Sequence, residues 1–180
     1  PTNRGHVKNA NFKWRDDHVD RFGSEISIID GFKISSNYVF ASLAVDNYGS
    51  HPKQFIDNIY MYKLGETFDF DLGGLRQPYI PSPSQEGWSN ATLGLLGFGY
   101  SSEETPLHIL TFYNAIANKG KMMKPYLVES IEKNGDVKEK LGPSILNSAI
   151  CSKTTADIIT EGLISVVQNG TGTRLKDAKC

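Results

Sequence analysis

The sequence predicts an α+β fold in which helices dominate. Segments with apolar residues at helical spacing are spread along most of the chain, and one alternating segment around Asn134-Gly135 is typical of a β-hairpin. The order of elements is helices, a long loop, a helix, the hairpin and a final helix. With 180 residues, 39% of them hydrophobic and 22% charged, the chain can form one domain with a core.

The first half of the chain predicts three helices. Residues 1–23 are polar with little periodicity, so we expect a loop with at most one short element. A short helix is predicted at residues 24–34 and a better one at 38–48, where Gly49 is the stop signal. Pro52 is predicted to open a third helix, which ends at Gly65.

The second half begins with a long loop. Residues 66–90 contain several prolines and glycines and show no period, which is typical of a structured loop. A helix is predicted from Thr105 to Asn118 with Gly120 as its cap, and a last helix at residues 154–168. The residues expected to face inward on the helix after Thr105 are Leu107, Leu110, Tyr113 and Ala117, and His108 among them is interpreted as structural.

The composition excludes several classes of function. A formal net charge of -1 gives no electrostatic case for nucleic-acid binding. The longest mostly apolar run, residues 91–100, is broken by glycines and too short to span a bilayer. Cys151 and Cys180 have no metal-site spacing and are expected to be free thiols. Neither end has the character of a domain edge, so we expect a piece of a longer protein.

Two further motifs lack the chemistry that they suggest. Residues 94–101 have the glycine spacing of a phosphate loop, but Tyr100 stands where the lysine is needed, so the glycines are expected to permit close packing. A cluster of adjacent acidic and histidine residues suggests a metal site, yet neighbours on one loop rarely converge on an ion. We therefore interpret as a solvated turn the group Asp16, Asp17, His18 and Asp20.

The triplet Ser35-Ser36-Asn37 allows two interpretations. Serine and asparagine favour helix caps, because their side chains compete for backbone hydrogen bonds. The triplet is therefore predicted as the N-cap of a helix that starts near Tyr38. In the other interpretation, a Ser-x-Asn triplet between helices directs a hydroxyl and an amide into an active-site cleft.

Three segments in a fixed order favour the second interpretation. They are the SSN triplet with the helix after it, GFGYSSEETPLHILTFYNAIANKGKMMKPYLV at residues 97–128, and VVQNGTGT at residues 166–173. Together they resemble the transpeptidase domain of class B penicillin-binding proteins, of the cell-division type. The resemblance covers residues 24–173, and with it the triplet is predicted to be both a cap and a catalytic motif.

The resemblance implies a fold and a site. The fold is the helical portion of the penicillin-recognising transpeptidase α/β fold, with a small β-hairpin and without most of the central antiparallel sheet. Catalysis in this family uses the motifs S-x-x-K, S-x-N and K-[ST]-G. The catalytic residues implied here are Ser35, which relays a proton to the leaving amine, and Asn37, whose amide bonds the substrate's peptide group. Ser36 and Phe98 are implied in substrate binding.

Two of the three motifs are absent from their expected places. SHPK at residues 50–53 and SIEK at 130–133 spell S-x-x-K, but both follow S-x-N, whereas the family order puts the nucleophile first. Pro52 would also break the helical turn that the motif needs. K-[ST]-G is missing, and KTT at residues 153–155 is a poor match. The resemblance therefore implies that residues 1–180 are a partial transpeptidase domain, truncated at both ends.

The implied function is that of a fragment of a peptidoglycan D,D-transpeptidase, inactive by itself, whose parent cross-links stem peptides through a serine acyl-enzyme and binds β-lactams. No metal or organic cofactor is implied. The expected location is the periplasmic face of the cytoplasmic membrane, anchored by a segment outside this chain, with division-machinery membrane proteins as further partners. Two alternatives stay open: a β-lactam sensor domain and a non-catalytic scaffold of the division machinery.

Overall fold

The computed structural model describes residues 6–9, 12–16 and 26–178, with side chains for Asp16 and residues 26–178. The strands pair in two-stranded antiparallel sheets, and more of the described residues lie in helices than in strands. The pairs are His6–Asn9 with Phe12–Arg15, Met122–Met123 with Ile145–Asn147, and Ser130–Lys133 with Asp136–Lys140. This confirms the mainly helical α+β prediction. The elements are β1 (His6–Asn9), β2 (Phe12–Arg15), α1 (Ile28–Lys33), α2 (Asn37–Tyr48), α3 (Pro52–Met61), α4 (Asn90–Gly97), α5 (Pro106–Ala117), β3 (Met122–Met123), β4 (Ser130–Lys133), β5 (Asp136–Lys140), β6 (Ile145–Asn147), α6 (Lys153–Asn169) and a 3-10 helix (Thr173–Leu175).

The chain divides into two compact units. The first comprises Pro1–Asp57, Ile80–Ser102 and Thr160–Cys180, and the second comprises Asn58–Tyr79 and Glu103–Ile159. Each unit has its own buried apolar residues. The SSN triplet belongs to the first unit. No helix in the described ranges is both long enough and apolar enough to cross a membrane.

A β-hairpin replaces the loop expected near the start of the chain. β1 and β2 pair in register from His6 opposite Arg15 to Asn9 opposite Phe12, and both strands lie beside α2. Each strand has four residues, which is too short for sequence periodicity to reveal it. The predicted helix at residues 24–34 is shorter than expected and begins at Ile28, where the Ser27 hydroxyl accepts a hydrogen bond from the Asp30 amide at 3.1 Å.

α2 and α4 form the closest helix pair of the first unit. α2 ends at Tyr48 with Gly49 as its cap, as predicted, whereas α4 was not predicted because glycines interrupt its apolar run. A Cβ atom on Gly97 would lie 2.7 Å from the Ala44 Cβ and 2.8 Å from the Phe40 carbonyl oxygen. This contact confirms that a glycine in this segment permits close backbone packing.

In the second unit, α5 has the predicted ends but a different buried face. It begins with Pro106 in its first turn, and the Gly120 amide, in left-handed backbone at φ 93°, closes it on the Ala115 carbonyl at 2.8 Å. The predicted inward face is wrong: Leu110 and Tyr113 are 56% and 48% exposed. α5 is apolar around most of its circumference, so the spacing of its apolar residues does not predict which face is buried. The residues it buries are His108, Thr111, Ala115 and Ile116.

His108 is structural, as interpreted from the sequence. It is 1% exposed, and its ring nitrogens lie 2.7 Å from the Thr105 hydroxyl and 3.2 Å from the Glu66 carbonyl oxygen. The Phe68 ring packs on it with centroids 4.9 Å apart. The imidazole therefore ties the long loop after α3 to α5.

The predicted hairpin is present, and a carboxylate fixes the chain before it. Asn134 and Gly135 both have positive φ, 57° and 84°, which matches a type I′ turn. Asp71 accepts hydrogen bonds from the Leu127 amide and, at 2.8 Å, from the Val128 amide. The Val128 bond first, and then the Leu127 bond, lower the pKa of the Asp71 carboxyl below its ordinary value. α3 ends at Met61, earlier than the predicted Gly65.

We expect Gly97→Ala to destabilise the protein by about 1–3 kcal/mol, because the added methyl group meets the backbone carbonyl of Phe40. This cost exceeds the gain of up to ~1 kcal/mol that alanine normally brings to a helix. Urea unfolding measures the change. The matched control is Gly142→Ala, where no atom lies within 4 Å of the added Cβ. Equal stabilities of the two variants would contradict the close α2–α4 contact.

Candidate active site

The SSN triplet forms the connection between α1 and α2. The amides of Ser35 and Ser36 close the end of α1 on the carbonyls of Phe32 and Gly31, at 3.1 and 2.8 Å. Ser35 has φ 56°, a left-handed conformation that is uncommon for serine. Such backbone persists only where its surroundings hold it, and it occurs often at functional sites.

The middle residue of the triplet is the helix cap. The Ser36 hydroxyl accepts a hydrogen bond from the Val39 amide at 3.1 Å and donates one to the Asp16 carboxylate. Ser36 is 2% exposed. The predicted cap is thus confirmed, with α2 starting at Asn37 rather than Tyr38. The Ser36 hydroxyl is therefore buried and makes two hydrogen bonds within the fold.

Asp16 anchors the start of α2 with both carboxylate oxygens. One accepts the Ser36 hydroxyl, and the other accepts the Tyr38 amide at 3.0 Å. Asp16 is 9% exposed, so the interpretation of a solvated acidic turn is wrong for this residue. Within the described residues no group of three or more His, Cys, Asp or Glu could hold a metal ion. The rest of the predicted cluster, Asp17, His18 and Asp20, lies outside the described residues.

Ser35 presents an exposed hydroxyl that, among the described residues, contacts another hydroxyl and not a base. Its Oγ lies 3.0 Å from Oγ1 of Thr171, in the turn after α6. The lysine nearest in sequence, Lys33, is paired with Asp30 at 2.7 Å. This pairing, followed by the Ser27 hydroxyl bond, lowers the pKa of the Asp30 carboxyl. A serine needs an adjacent base to become a nucleophile, and within the described part of the chain the Ser35 hydroxyl has only the Thr171 hydroxyl as a partner.

Asn37 occupies the first position of α2 and is half-buried. Within the described part of the chain, no protein group hydrogen-bonds its side-chain amide. The amide oxygen and nitrogen are therefore available to a ligand. The amide carries two N–H donors and a carbonyl acceptor, so this one side chain can both donate to and accept from a ligand.

Phe98 is the C-cap residue of α4, and its ring packs on Tyr100 with centroids 5.4 Å apart. Its neighbour Gly97 lies against Phe40, which is one helical turn from Asn37. Phe98 is half-buried. The placement of Phe98 in one cleft with Ser35 and Asn37 stays a prediction.

The two Ser-x-x-Lys sequences, SHPK and SIEK, do not form serine–lysine pairs. The Ser50 hydroxyl lies 2.8 Å from Nδ1 of His51, while Lys53 pairs with Asp57 at 2.7 Å. Ser130 lies on a strand, where its hydroxyl bonds Glu132 at 3.2 Å. Both rejections made from the sequence agree with this geometry.

Sequence reasoning did not single out two residues of the site. Asp16 was treated as one of several adjacent acidic residues, and its distance of 20 positions from Ser36 hides the contact. Thr171 lies in the VVQNGTGT segment that carried the family resemblance, but no role was assigned to it. Both residues contact the triplet from distant parts of the chain, so no local pattern could have found them.

Comparison with known families identifies the chain. The family model described as the penicillin binding protein transpeptidase domain matches residues 2–179. The chain therefore belongs to the penicillin-binding protein transpeptidase family. Two similar relatives are penicillin-binding protein 2B of Streptococcus pneumoniae, 26% identical over 173 residues, and penicillin-binding protein PbpB of Mycobacterium tuberculosis, 27% identical over 118 residues.

The alignments cover 86% and 65% of this chain but only 25% and 17% of those two relatives, so the chain corresponds to a fraction of their length. Solved structures match over most of the chain. The D,D-transpeptidase domain of a peptidoglycan glycosyltransferase from Eggerthella lenta has a TM-score of 0.78 at 28% identity, with 94% of this chain and 43% of that chain covered. Penicillin-binding protein 3 of Mycobacterium tuberculosis, complexed with aztreonam, shares the fold with a TM-score of 0.75 at 23% identity, covering 92% and 35%.

Replacing Asp16 with alanine should destabilise the protein by about 2–3 kcal/mol, because the Ser36 hydroxyl and the Tyr38 amide both lose a buried acceptor. Ser36→Ala should cost about 1–2 kcal/mol, the range for loss of an N-cap. Chemical unfolding followed by circular dichroism measures both changes. The control is Asp46→Ala, at an exposed position on α2, for which we expect a change in stability of about 0.5 kcal/mol or less. An Asp16 variant no less stable than the control would disprove the anchoring role.

Proposed function

We propose that this chain is the part of a peptidoglycan D,D-transpeptidase that carries the S-x-N motif, in a penicillin-binding protein that also binds β-lactams. Membership of the transpeptidase family over residues 2–179 supports the proposal. The observation that carries it is the split role of the triplet: Ser36 is buried as the cap, while Ser35 exposes its hydroxyl and Asn37 has a side-chain amide without a partner in the described residues.

In the proposed reaction the nucleophile is a serine of an S-x-x-K motif outside residues 1–180. Its oxygen attacks the carbonyl carbon of the penultimate D-alanine of a stem peptide, and its proton passes to the neighbouring lysine. The bond to the terminal D-alanine breaks, Ser35 relays the proton to the departing amine, and an ester remains. An amine of a neighbouring strand then attacks the ester carbon and forms the cross-link. The bond to the serine oxygen breaks, and the amine's proton passes to that oxygen through the same relay. β-Lactams acylate the same serine as their ring opens.

The site residues then divide the work. Asn37 hydrogen-bonds the substrate's peptide group through its side-chain amide, which has no partner among the described residues, and Phe98 flanks the substrate with its ring. Ser36 is buried and its hydroxyl makes two hydrogen bonds inside the fold, so it positions its two neighbours instead of contacting substrate. This assignment replaces the sequence-based expectation that Ser36 binds substrate.

We further propose where the protein acts. A cell-wall transpeptidase meets its substrate outside the cytoplasm, so the proposed location is the periplasmic face of the cytoplasmic membrane, with an anchor outside residues 1–180. The sequence resemblance to the cell-division type supports a role in division, with membrane proteins of the division machinery as partners.

The 180-residue chain alone should not be labelled by a fluorescent penicillin, whereas the full-length protein that contains it should be. Covalent capture needs a serine with a base within about 3 Å, and the Ser35 hydroxyl has Thr171 beside it instead. Gel fluorescence, followed by mass spectrometry of the labelled peptide, locates the adduct. A penicilloyl group on any serine of residues 1–180 would refute the assignment of the nucleophile, and an unlabelled full-length protein would refute the proposed function.

In the full-length protein, Asn37→Ala should slow acylation by a β-lactam about 10- to 100-fold, because a hydrogen bond to the reacting amide is lost. Stability should change by about 0.5 kcal/mol or less, since the cap is Ser36. Stopped-flow acylation and thermal unfolding give the two values. Asn47→Ala, on the exposed side of the same helix, is the control and should acylate at the wild-type rate. Equal rates for both variants would remove Asn37 from the site.

A further inference from the structure

The turn after α6 docks on the end of α1 beside the triplet. The Thr171 amide donates a hydrogen bond to the Lys33 carbonyl oxygen at 3.3 Å, and the amides of Gly170 and Gly172 both bond the Val166 carbonyl, at 3.0 and 3.1 Å. The Lys33 carbonyl is one of the groups that the short helix α1 leaves without an internal partner. The turn therefore supplies the hydrogen-bond donor that this carbonyl at the end of α1 lacks within its own helix.

Glycine at position 170 makes this docking possible. A Cβ atom there would lie 2.1 Å from the Lys33 carbonyl oxygen and 2.9 Å from the Val166 Cα, both backbone atoms that cannot turn aside. Backbone hydrogen bonds thus hold both sides of the hydroxyl pair. The Thr171 N–H donates to α1, and the Ser35 N–H donates to the Phe32 carbonyl. Between these two held backbone segments, the hydroxyl oxygens of Ser35 and Thr171 lie 3.0 Å apart.

We propose that Thr171 is a positioning residue that orients the Ser35 hydroxyl for proton transfer. In the working arrangement the Thr171 hydroxyl donates to the Ser35 oxygen. Ser35 has one proton and two lone pairs, so this leaves its proton free to move to the leaving amine and one lone pair free to accept the next proton. The inference rests on the proposed transpeptidase function, and it assigns the NGTGT turn a role in the chemistry of the S-x-N motif.

The test compares three variants of the full-length protein: Thr171→Val, which keeps the shape and removes the hydroxyl, Thr171→Ser, which keeps the hydroxyl, and Thr173→Val as the control two residues further along. Acylation by a fluorescent penicillin is followed at a series of concentrations, which separates the acylation rate constant from the dissociation constant of the initial complex. Thr171→Val should lower the rate constant about tenfold, the size of one hydrogen bond, and leave the dissociation constant unchanged.

Rescue and coupling separate positioning from a purely structural effect. Thr171→Ser should restore the rate to within about twofold of wild type, and Thr173→Val should match wild type. In a Ser35→Ala background, Thr171→Val should have no further effect on the residual acylation rate, because the group that it orients is gone. Thermal unfolding checks each variant first, and Thr171→Ala is the second hydroxyl-free variant if valine disturbs the turn.

The outcomes distinguish the proposal from the function on which it rests. Wild-type protein that is not labelled overturns the proposed function, and with it the role of Thr171. Labelled wild type with a normal rate in Thr171→Val overturns the role of Thr171 alone. A change confined to the dissociation constant would make Thr171 a substrate contact, and an effect that persists without Ser35 would make it structural; either result overturns the positioning role.

Discussion

The site depends on the buried contact between Asp16 and the first turn of α2. A helix leaves its first backbone N–H groups without internal acceptors. Here the Asp16 carboxylate accepts from the Tyr38 N–H, and the Ser36 hydroxyl accepts from the Val39 N–H. Asp16 binds both the Ser36 hydroxyl and the Tyr38 amide, so it fixes the direction in which α2 leaves the connection. The two outer residues of the triplet, Ser35 and Asn37, flank the Ser36 side chain that this contact holds.

Within the triplet, the middle residue is buried and its two neighbours remain accessible to a ligand. Ser36 is buried with its hydroxyl bonded inside the fold, whereas Ser35, in left-handed backbone, has an exposed side chain. Asn37 follows at the first helical position with its amide unengaged among the described residues. The middle position of the Ser-x-Asn motif is written as variable. In this chain it has a physical reason to be a serine, because the middle residue is the N-cap of α2.

Helices with strong local signals could be predicted from the sequence, and elements that depend on distant partners could not. α2 and the β4–β5 hairpin were predicted because a cap, a stop glycine and an Asn-Gly turn act locally. The β1–β2 hairpin and α4 were missed, since four-residue strands and a glycine-interrupted apolar run carry no clear period. The glycine that hid α4 is the one that lets it pack on α2.

Residue order and short-range periodicity were enough to identify the family, the mainly helical α+β class and the position of the S-x-N triplet. Three findings required the folded structure: Asp16 is a buried anchor, Ser36 is the residue of the triplet that caps α2, and Thr171 lies beside Ser35. Ser35 and Thr171 are 136 residues apart. Contacts at such separations form when backbone groups left unpaired at one helix end are satisfied by a distant turn, and no local pattern in the chain records that choice.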